Sequence, residues 1–110
     1  MAINQVVTTV PGVIVLRAAK DKAGQKACAY QNCQITTKCV QSNIQAVDFI
    51  VTHGSLKEVE KETIRLFEQK HFKYLLFYSP RQFTSNQNEF IELVEMLEQF
   101  YGIYVKQLRP

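Results

Sequence analysis

Short, mostly apolar runs recur along the chain, and a longer segment with helical periodicity separates each run from the next. Three runs are clear, at residues 13–16, 46–51 and 74–78, and a weaker fourth lies at 102–105. Runs of this length are typical of strands that are buried on both faces. The sequence therefore predicts four strands in one sheet that has helices against both faces.

Two of the intervening segments, residues 56–70 and 87–101, place apolar side chains at the spacing of an amphipathic helix. Ser55 precedes the first of these segments and is a residue type preferred at N-caps. Gly102 follows the second, and glycine often ends a helix because it accepts a left-handed backbone conformation. We expect both segments to be helices that cover the sheet.

A further helix is predicted from about residue 24 to residue 44, and it has apolar side chains on two opposite sides. One stripe consists of Ala29, Cys33, Thr37, Val40 and Ile44. The other, narrower stripe consists of Cys28, Ile35 and Cys39. We expect the first stripe to face the sheet and the second to be an interface through which copies of the chain associate. The alternative is that the second stripe is half-exposed or covered by residues 1–10 of the same chain.

The alternation of strands and helices predicts an α/β fold with three layers. Its sheet is mainly parallel and has the strand order 2-1-3-4, with right-handed crossovers that place helices on both faces. The first strand is central because residues 13–16 are the most uniformly apolar of the runs. Residues 12–110 are predicted to form this single domain, and residues 1–11 an N-terminal arm that is either flexible or an added edge strand.

Functional residues of a parallel sheet gather at the carboxyl ends of its strands. Those ends are predicted at residues 17–22, 52–55 and 79–85. The net charge of +3 arises near the first of them. Residues 1–55 carry five basic and two acidic side chains, whereas residues 56–110 carry eight of each sign.

The basic side chains at the strand ends are candidates for holding an anion such as a DNA phosphate. These candidates are Arg17, Lys20, Lys22 and Arg81. The alternative is that the two arginines are solvated or pair with Asp21.

Length and composition limit the class of protein. A chain of 110 residues with 46% apolar and 21% charged side chains is typical of one folded domain. No apolar run approaches the ~18–20 residues that cross a bilayer. Residues 1–11 also lack the basic start and the apolar stretch of a signal peptide. We therefore expect a cytoplasmic protein with no membrane partner.

No cofactor or metal is indicated by the sequence. Cys28, Cys33 and Cys39 are odd in number, and their spacing fits neither a disulfide framework nor a zinc ribbon. The turn after the first predicted strand lacks the glycines of a nucleotide phosphate loop. The two histidines, His53 and His71, are expected to be structural or surface residues.

Three local patterns, at residues 15–19, 31–35 and 78–86, together with the order of elements, resemble the catalytic domain of serine recombinases, the family of resolvases, invertases and large serine integrases. The resemblance covers roughly residues 12–108. It implies a resolvase-like fold of the flavodoxin-like type. In that family the first strand ends in an arginine and a nucleophilic serine, the first helix carries a glutamine, and a later strand runs into Asp-Arg-x-x-Arg.

Three positions match the residues that the resemblance implies are functional. They are Arg17, Gln31 and Arg81. Other positions depart from the pattern. The nucleophilic serine falls on Ala19, the aspartate on Pro80 and the second arginine of the later motif on Thr84.

The departures predict a recombinase-like fold without recombinase activity. The methyl group of Ala19 has no lone pair with which to attack a phosphodiester. A missing arginine weakens the stabilisation of transition-state charge, and each lost donor typically costs about 10²-fold in rate. We therefore expect that the chain is not an enzyme.

Three hypotheses for function follow. The leading one is a non-catalytic domain from a mobile element that self-associates or docks on a protein partner. The alternative is a small nucleic-acid-binding module that uses Arg17, Lys20, Lys22, Lys26 and Arg81 without strand cleavage. Against it, residues 82–105 carry four glutamates and no basic side chain, which disfavours contact with a duplex. The third is an enzyme of unrecognised chemistry that would use Ser55, Ser79 or His53.

Overall fold

A computed structural model describes residues 9–18 and 21–109 of the chain. Its strands and helices, in chain order, are β1 (Val10–Arg17), α1 (Lys22–Gln41), β2 (Ile44–Thr52), α2 (Leu56–Gln69), β3 (Tyr74–Phe77), α3 (Gln87–Tyr101) and β4 (Tyr104–Gln107). The strands form one sheet in the order β2-β1-β3-β4, and every neighbouring pair is parallel. The predicted α/β architecture, its strand order and the central first strand are confirmed.

The central strand β1 supplies both cores of the domain. Val13 and Val15 belong to a core shared with α2 and α3, which we call the α2/α3 core. Ile14 and Leu16 project to the other face and pack with Ile35 in the α1 core. Because successive side chains of a strand point to opposite faces, an uninterrupted apolar run is required where both faces are covered.

Local sequence signals mark the start or the end of several helices, as predicted. The Ser55 hydroxyl caps α2 by accepting from the Glu58 backbone N–H at 3.3 Å. Gly102 ends α3 with a φ of 66°. The first helix ends at Gln41 rather than near residue 44, and Ile44 opens β2 instead. β1 begins at Val10, inside the predicted arm, whose residues 1–8 lie outside the described part of the chain.

The predicted orientation of α1 is wrong. Ile35 is 2% exposed and Cys39 also lies in the α1 core, whereas Val40, from the stripe expected to face the sheet, is 72% exposed. Cys28 is half-buried against the same core. The stripe of Cys28, Ile35 and Cys39 is therefore not an interface but the sheet-facing side of the helix. Burial raises the pKa of the Cys39 thiol.

Side-chain size explains this reversal. Ile35 is the largest aliphatic residue of α1, and its burial against Ile14, Leu16 and Leu76 removes more apolar surface from water than burial of alanine, cysteine or threonine would. The stripe of Ala29, Cys33 and Thr37 is small and partly polar, so solvent contact costs little there. A prediction that counts apolar positions without weighing the area of each side chain therefore selects the wrong side of α1 to face the sheet.

A β-bulge reverses the faces of β2 halfway along the strand. Gly12 pairs with Ala46 but Val13 pairs with Asp48, so Val47 is an extra residue on β2. Gly12 itself is required there, because a Cβ would lie 2.7 Å from Ile44 Cγ2 and 2.9 Å from Leu76 Cδ1. An extra residue moves every later side chain of a strand to the other face.

Beyond the bulge, Phe49 and Val51 project to the α1 side of the sheet, because they lie opposite Ile14 and Leu16. They remain 45% and 56% exposed. The single helix on that side thus leaves the outer part of β2 open. Among the described residues, no helix is long and apolar enough to cross a membrane.

The orientation of α1 can be tested with Ile35→Glu. We expect this change to lower the free energy of unfolding by about 4 kcal/mol or more, because it buries a carboxylate without a partner. The matched control is Val40→Glu on the exposed side of the same helix, which should change stability by no more than about 0.5 kcal/mol. Urea denaturation followed by circular dichroism measures both. If Ile35→Glu instead left a stable monomer and only dissociated an oligomer, the stripe would be an interface after all.

Candidate functional site

The carboxyl ends of β1 and β2 lie side by side. Arg17 and Thr52 are register partners, and the Ala18 backbone N–H donates to the Thr52 carbonyl at 2.7 Å. The turn that follows β3, at Pro80–Gln82, approaches the same edge of the sheet. The structure therefore brings two of the three predicted strand ends directly together and places the third against them.

Gln82 joins two of the residues that match the recombinase pattern. Arg17 Nη1 donates to the Gln82 backbone carbonyl at 3.0 Å. The Gln82 side chain donates through Nε2 to Gln31 Oε1 at 2.8 Å. Arg17 on β1 and Gln31 on α1 therefore meet on one residue of the turn after β3. The sequence analysis missed Gln82, although its position next to Arg81 in the later motif was a signal.

Arg81 lies in the same turn, and its side chain takes no part in the hydrogen bonds that join Arg17, Gln31 and Gln82. The Ser79 hydroxyl accepts from the Arg81 backbone N–H at 3.3 Å, and Phe83 packs edge-on against Phe77 with ring centroids 5.7 Å apart. These contacts fix the backbone while leaving the Arg81 side chain exposed. It lines an open groove of about 610 Å³ with Asn86, Phe90 and other residues at the start of α3.

The environment at the position of the second arginine is acidic. Thr84, which stands at that position, donates from its hydroxyl to Glu89 Oε2 at 3.1 Å. A carboxylate therefore lies where the recombinase pattern has a guanidinium. It repels a phosphate rather than attracting one.

Asp21 does not pair with Arg17. Its Oδ1 accepts from the Gly24 backbone N–H at 2.6 Å and so caps α1. In the described ranges, ion pairs join only Arg65 to Glu62 and Lys70 to Asp48. The alternative in which Asp21 neutralises an arginine of the strand ends is wrong.

The remaining anion candidates lie at the edge of the site. Lys22 and Lys26 are exposed in the first turns of α1. Lys20 and Ala19 lie outside the described residues, so neither the predicted anion role of Lys20 nor the predicted match of Ala19 to the family's serine is tested by the structure.

Two of the residues considered for an enzyme of unrecognised chemistry, Ser55 and Ser79, have structural roles. The Ser55 and Ser79 hydroxyls each accept from a backbone N–H of the turn that follows them. His53 is exposed after β2, and the ring of His71 stacks on Phe67 at 4.6 Å. No group of three potential metal ligands occurs within residues 9–18 and 21–109.

Two buried oxygens at this end of the sheet lack hydrogen bonds from the described residues. They are Thr52 Oγ1 and Gln82 Oε1. Thr52 is only 6% exposed. A buried polar group that stays unpaired typically costs about 1–3 kcal/mol of stability, so removal of such a group can be tested by substitution.

The fold that holds this site is that of a serine recombinase catalytic domain. The chain superposes on the crystal structure of the C-terminal catalytic domain of ISC1926 TnpA, an IS607-like serine recombinase, with a TM-score of 0.68. The match covers 92% of this chain and 70% of that one at 16% sequence identity. No family model and no curated protein matches the sequence.

The unpartnered hydroxyl gives a stability prediction. Thr52→Val keeps the side-chain shape and removes the buried oxygen, so we expect the free energy of unfolding to rise by about 1 kcal/mol. The control is Thr63→Val, since the buried Thr63 hydroxyl donates to the Val59 carbonyl at 2.6 Å. That variant should lose up to about 1 kcal/mol. Urea denaturation compares them, and a loss of stability in Thr52→Val would show that its hydroxyl has a partner.

Proposed function

We propose that this chain is a recombinase-like domain that does not cleave DNA and that acts by binding protein, including further copies of itself. The observation that carries the proposal is the bonding of Arg17 and Gln31 to Gln82. Two residues that resemble recombinase functional groups hold the turn after β3 in place. They act as structural connections between β1, α1 and that turn.

The groups that cleavage needs are otherwise absent or opposed. Ala19 provides no nucleophilic oxygen. Thr84 provides a neutral hydroxyl beside the Glu89 carboxylate where a second arginine would stabilise the phosphate. Charge that develops on a phosphate in the transition state needs preorganised donors, and this end of the sheet offers few.

Cleavage can be tested directly with labelled duplex and nicked DNA substrates. We expect no covalent protein–DNA adduct on a denaturing gel, and none at Ser55, Ser79 or Ser85 by mass spectrometry of the digested protein. The control is Ala19→Ser, which should also remain inactive because Thr84 and Glu89 leave the phosphate without its second cation. A trapped adduct at any of the three serines in the unmodified chain would overturn the proposal.

Self-association is supported by the apolar surface that α1 leaves uncovered. Phe49 and Val51 are exposed on the same side of the sheet. The Phe49 backbone N–H donates to Asp48 Oδ1 at 2.7 Å, so this part of the edge strand is occupied by a local hydrogen bond. Association is therefore expected through side chains rather than through an added strand.

Val51→Glu tests this surface. We expect the dissociation constant for self-association to rise by at least about tenfold, which corresponds to about 1.4 kcal/mol of lost apolar burial. Sedimentation velocity over a concentration series measures the effect, with Phe100→Glu on α3 as the control that should not change it. An unmodified chain that stays monomeric at every concentration would contradict self-association.

Binding of an anion at the strand ends is the second candidate function, supported by the exposed Arg81 at its groove. The exposed lysines Lys22 and Lys26 add charge near the start of α1. The likeness to an IS607-like recombinase supports an origin in a mobile element, and with it a cytoplasmic location.

A further inference from the structure

Three neighbouring cavities lie along the outer strand β4, on the face of the sheet that α1 covers only in part. Their volumes are about 520, 270 and 350 Å³. Lys106 lines both the first and the second, while Lys38 and Leu108 line both the second and the third. Together these neighbouring cavities follow one line between α1 and β4, which we call the β4 trough.

The β4 trough is positively charged throughout. Its charged lining residues are Lys38, Lys73, Lys106 and Arg109, and no aspartate or glutamate lines any of the three cavities. Helix α1 has three lysines and no acidic residue, whereas α2 and α3 on the opposite face have three basic and eight acidic residues in total. The charge of the domain is thus separated between its two faces, and the trough attracts an extended polyanion.

Tyrosines stand at both ends of the trough. Tyr74 and Tyr104 lie side by side on β3 and β4, with ring centroids 6.3 Å apart. Tyr104 is 42% exposed, and Tyr30 at the far end is 63% exposed. Lys106 Nζ lies 5.0 Å from the centroid of the Tyr74 ring, so cations and rings are interleaved.

We infer that the β4 trough binds single-stranded nucleic acid. Aromatic rings interleaved with cations along an open groove fit a chain of phosphates and unpaired bases, because each base can stack on a ring while its phosphate meets a lysine. In a duplex the paired bases are not free to stack on protein rings.

This surface lies at the opposite edge of the sheet from Phe49 and Val51, and the one residue that it shares with the lining of the Arg81 groove is Gln107. It is formed by α1, the start of β3 and the whole of β4. Its ligand is therefore bound whether or not the chain self-associates, and the two proposals can fail independently.

The test uses fluorescein-labelled oligothymidylate and oligouridylate of about 15 nucleotides, a length within the usual range for one single-strand-binding domain. Anisotropy titrations should show binding to at least one of the two that weakens with salt, and weaker binding to a duplex of equal length. Tyr104→Leu should raise the dissociation constant about tenfold, in keeping with the loss of one stacked base. Lys38→Gln with Lys106→Gln should lower the slope of log affinity against log salt by about 1.4.

The matched control is Lys57→Gln with Lys61→Gln on α2, which removes the same charge from the opposite face and should leave binding unchanged. Circular dichroism confirms that each variant is folded. The inference is overturned if neither oligonucleotide binds, or if Arg17→Gln with Arg81→Gln abolishes binding while Tyr104→Leu does not. Equal competition by poly-glutamate would also overturn it and indicate an acidic peptide as the ligand instead.

Discussion

Burial of β1 on both faces is the constraint on which the rest of the domain depends. Val13 and Val15 enter one core while Ile14 and Leu16 enter the other, and the first three of these are fully buried. A strand that feeds two cores must be central, so β2 and β3 pair on either side of it and β4 follows at the edge. Helices are then required on both faces of the sheet. Because all the strands are parallel, the loops that follow their carboxyl ends lie at the same edge of the sheet.

The strand ends meet at Gln82, where side chains from β1 and α1 hold the turn after β3. Arg17 and Gln31, which both match the recombinase pattern, both bond to Gln82 in the turn after β3. A side chain that is held in one place can position a reacting group, and it can equally stabilise a loop by bonding to the backbone of that loop.

Much of the fold was predictable, because the apolar runs and helix caps are local signals. The face of α1 was not, since it depends on the area that Ile35 buries against two neighbouring strands rather than on spacing within the helix. Arg17, Gln31 and Arg81 could be named from their patterns, whereas the role of Gln82 depends on a hydrogen bond across the fold. The β4 trough could not be predicted for the same reason, because its two ends, at Tyr30 and at Tyr74 with Tyr104, are aligned only when the sheet forms.

The bulge at Val47 shows that the length of a strand can determine what its surface displays. Upstream of it, Ile44 and Ala46 pack in the α1 core, and downstream the same side of the strand carries Phe49 and Val51. One inserted residue thus exposes an aromatic and a branched side chain without altering any amino-acid type. For an edge strand of this kind, insertion or deletion of a single codon is a shorter evolutionary route to gaining or losing an adhesive surface than stepwise substitution.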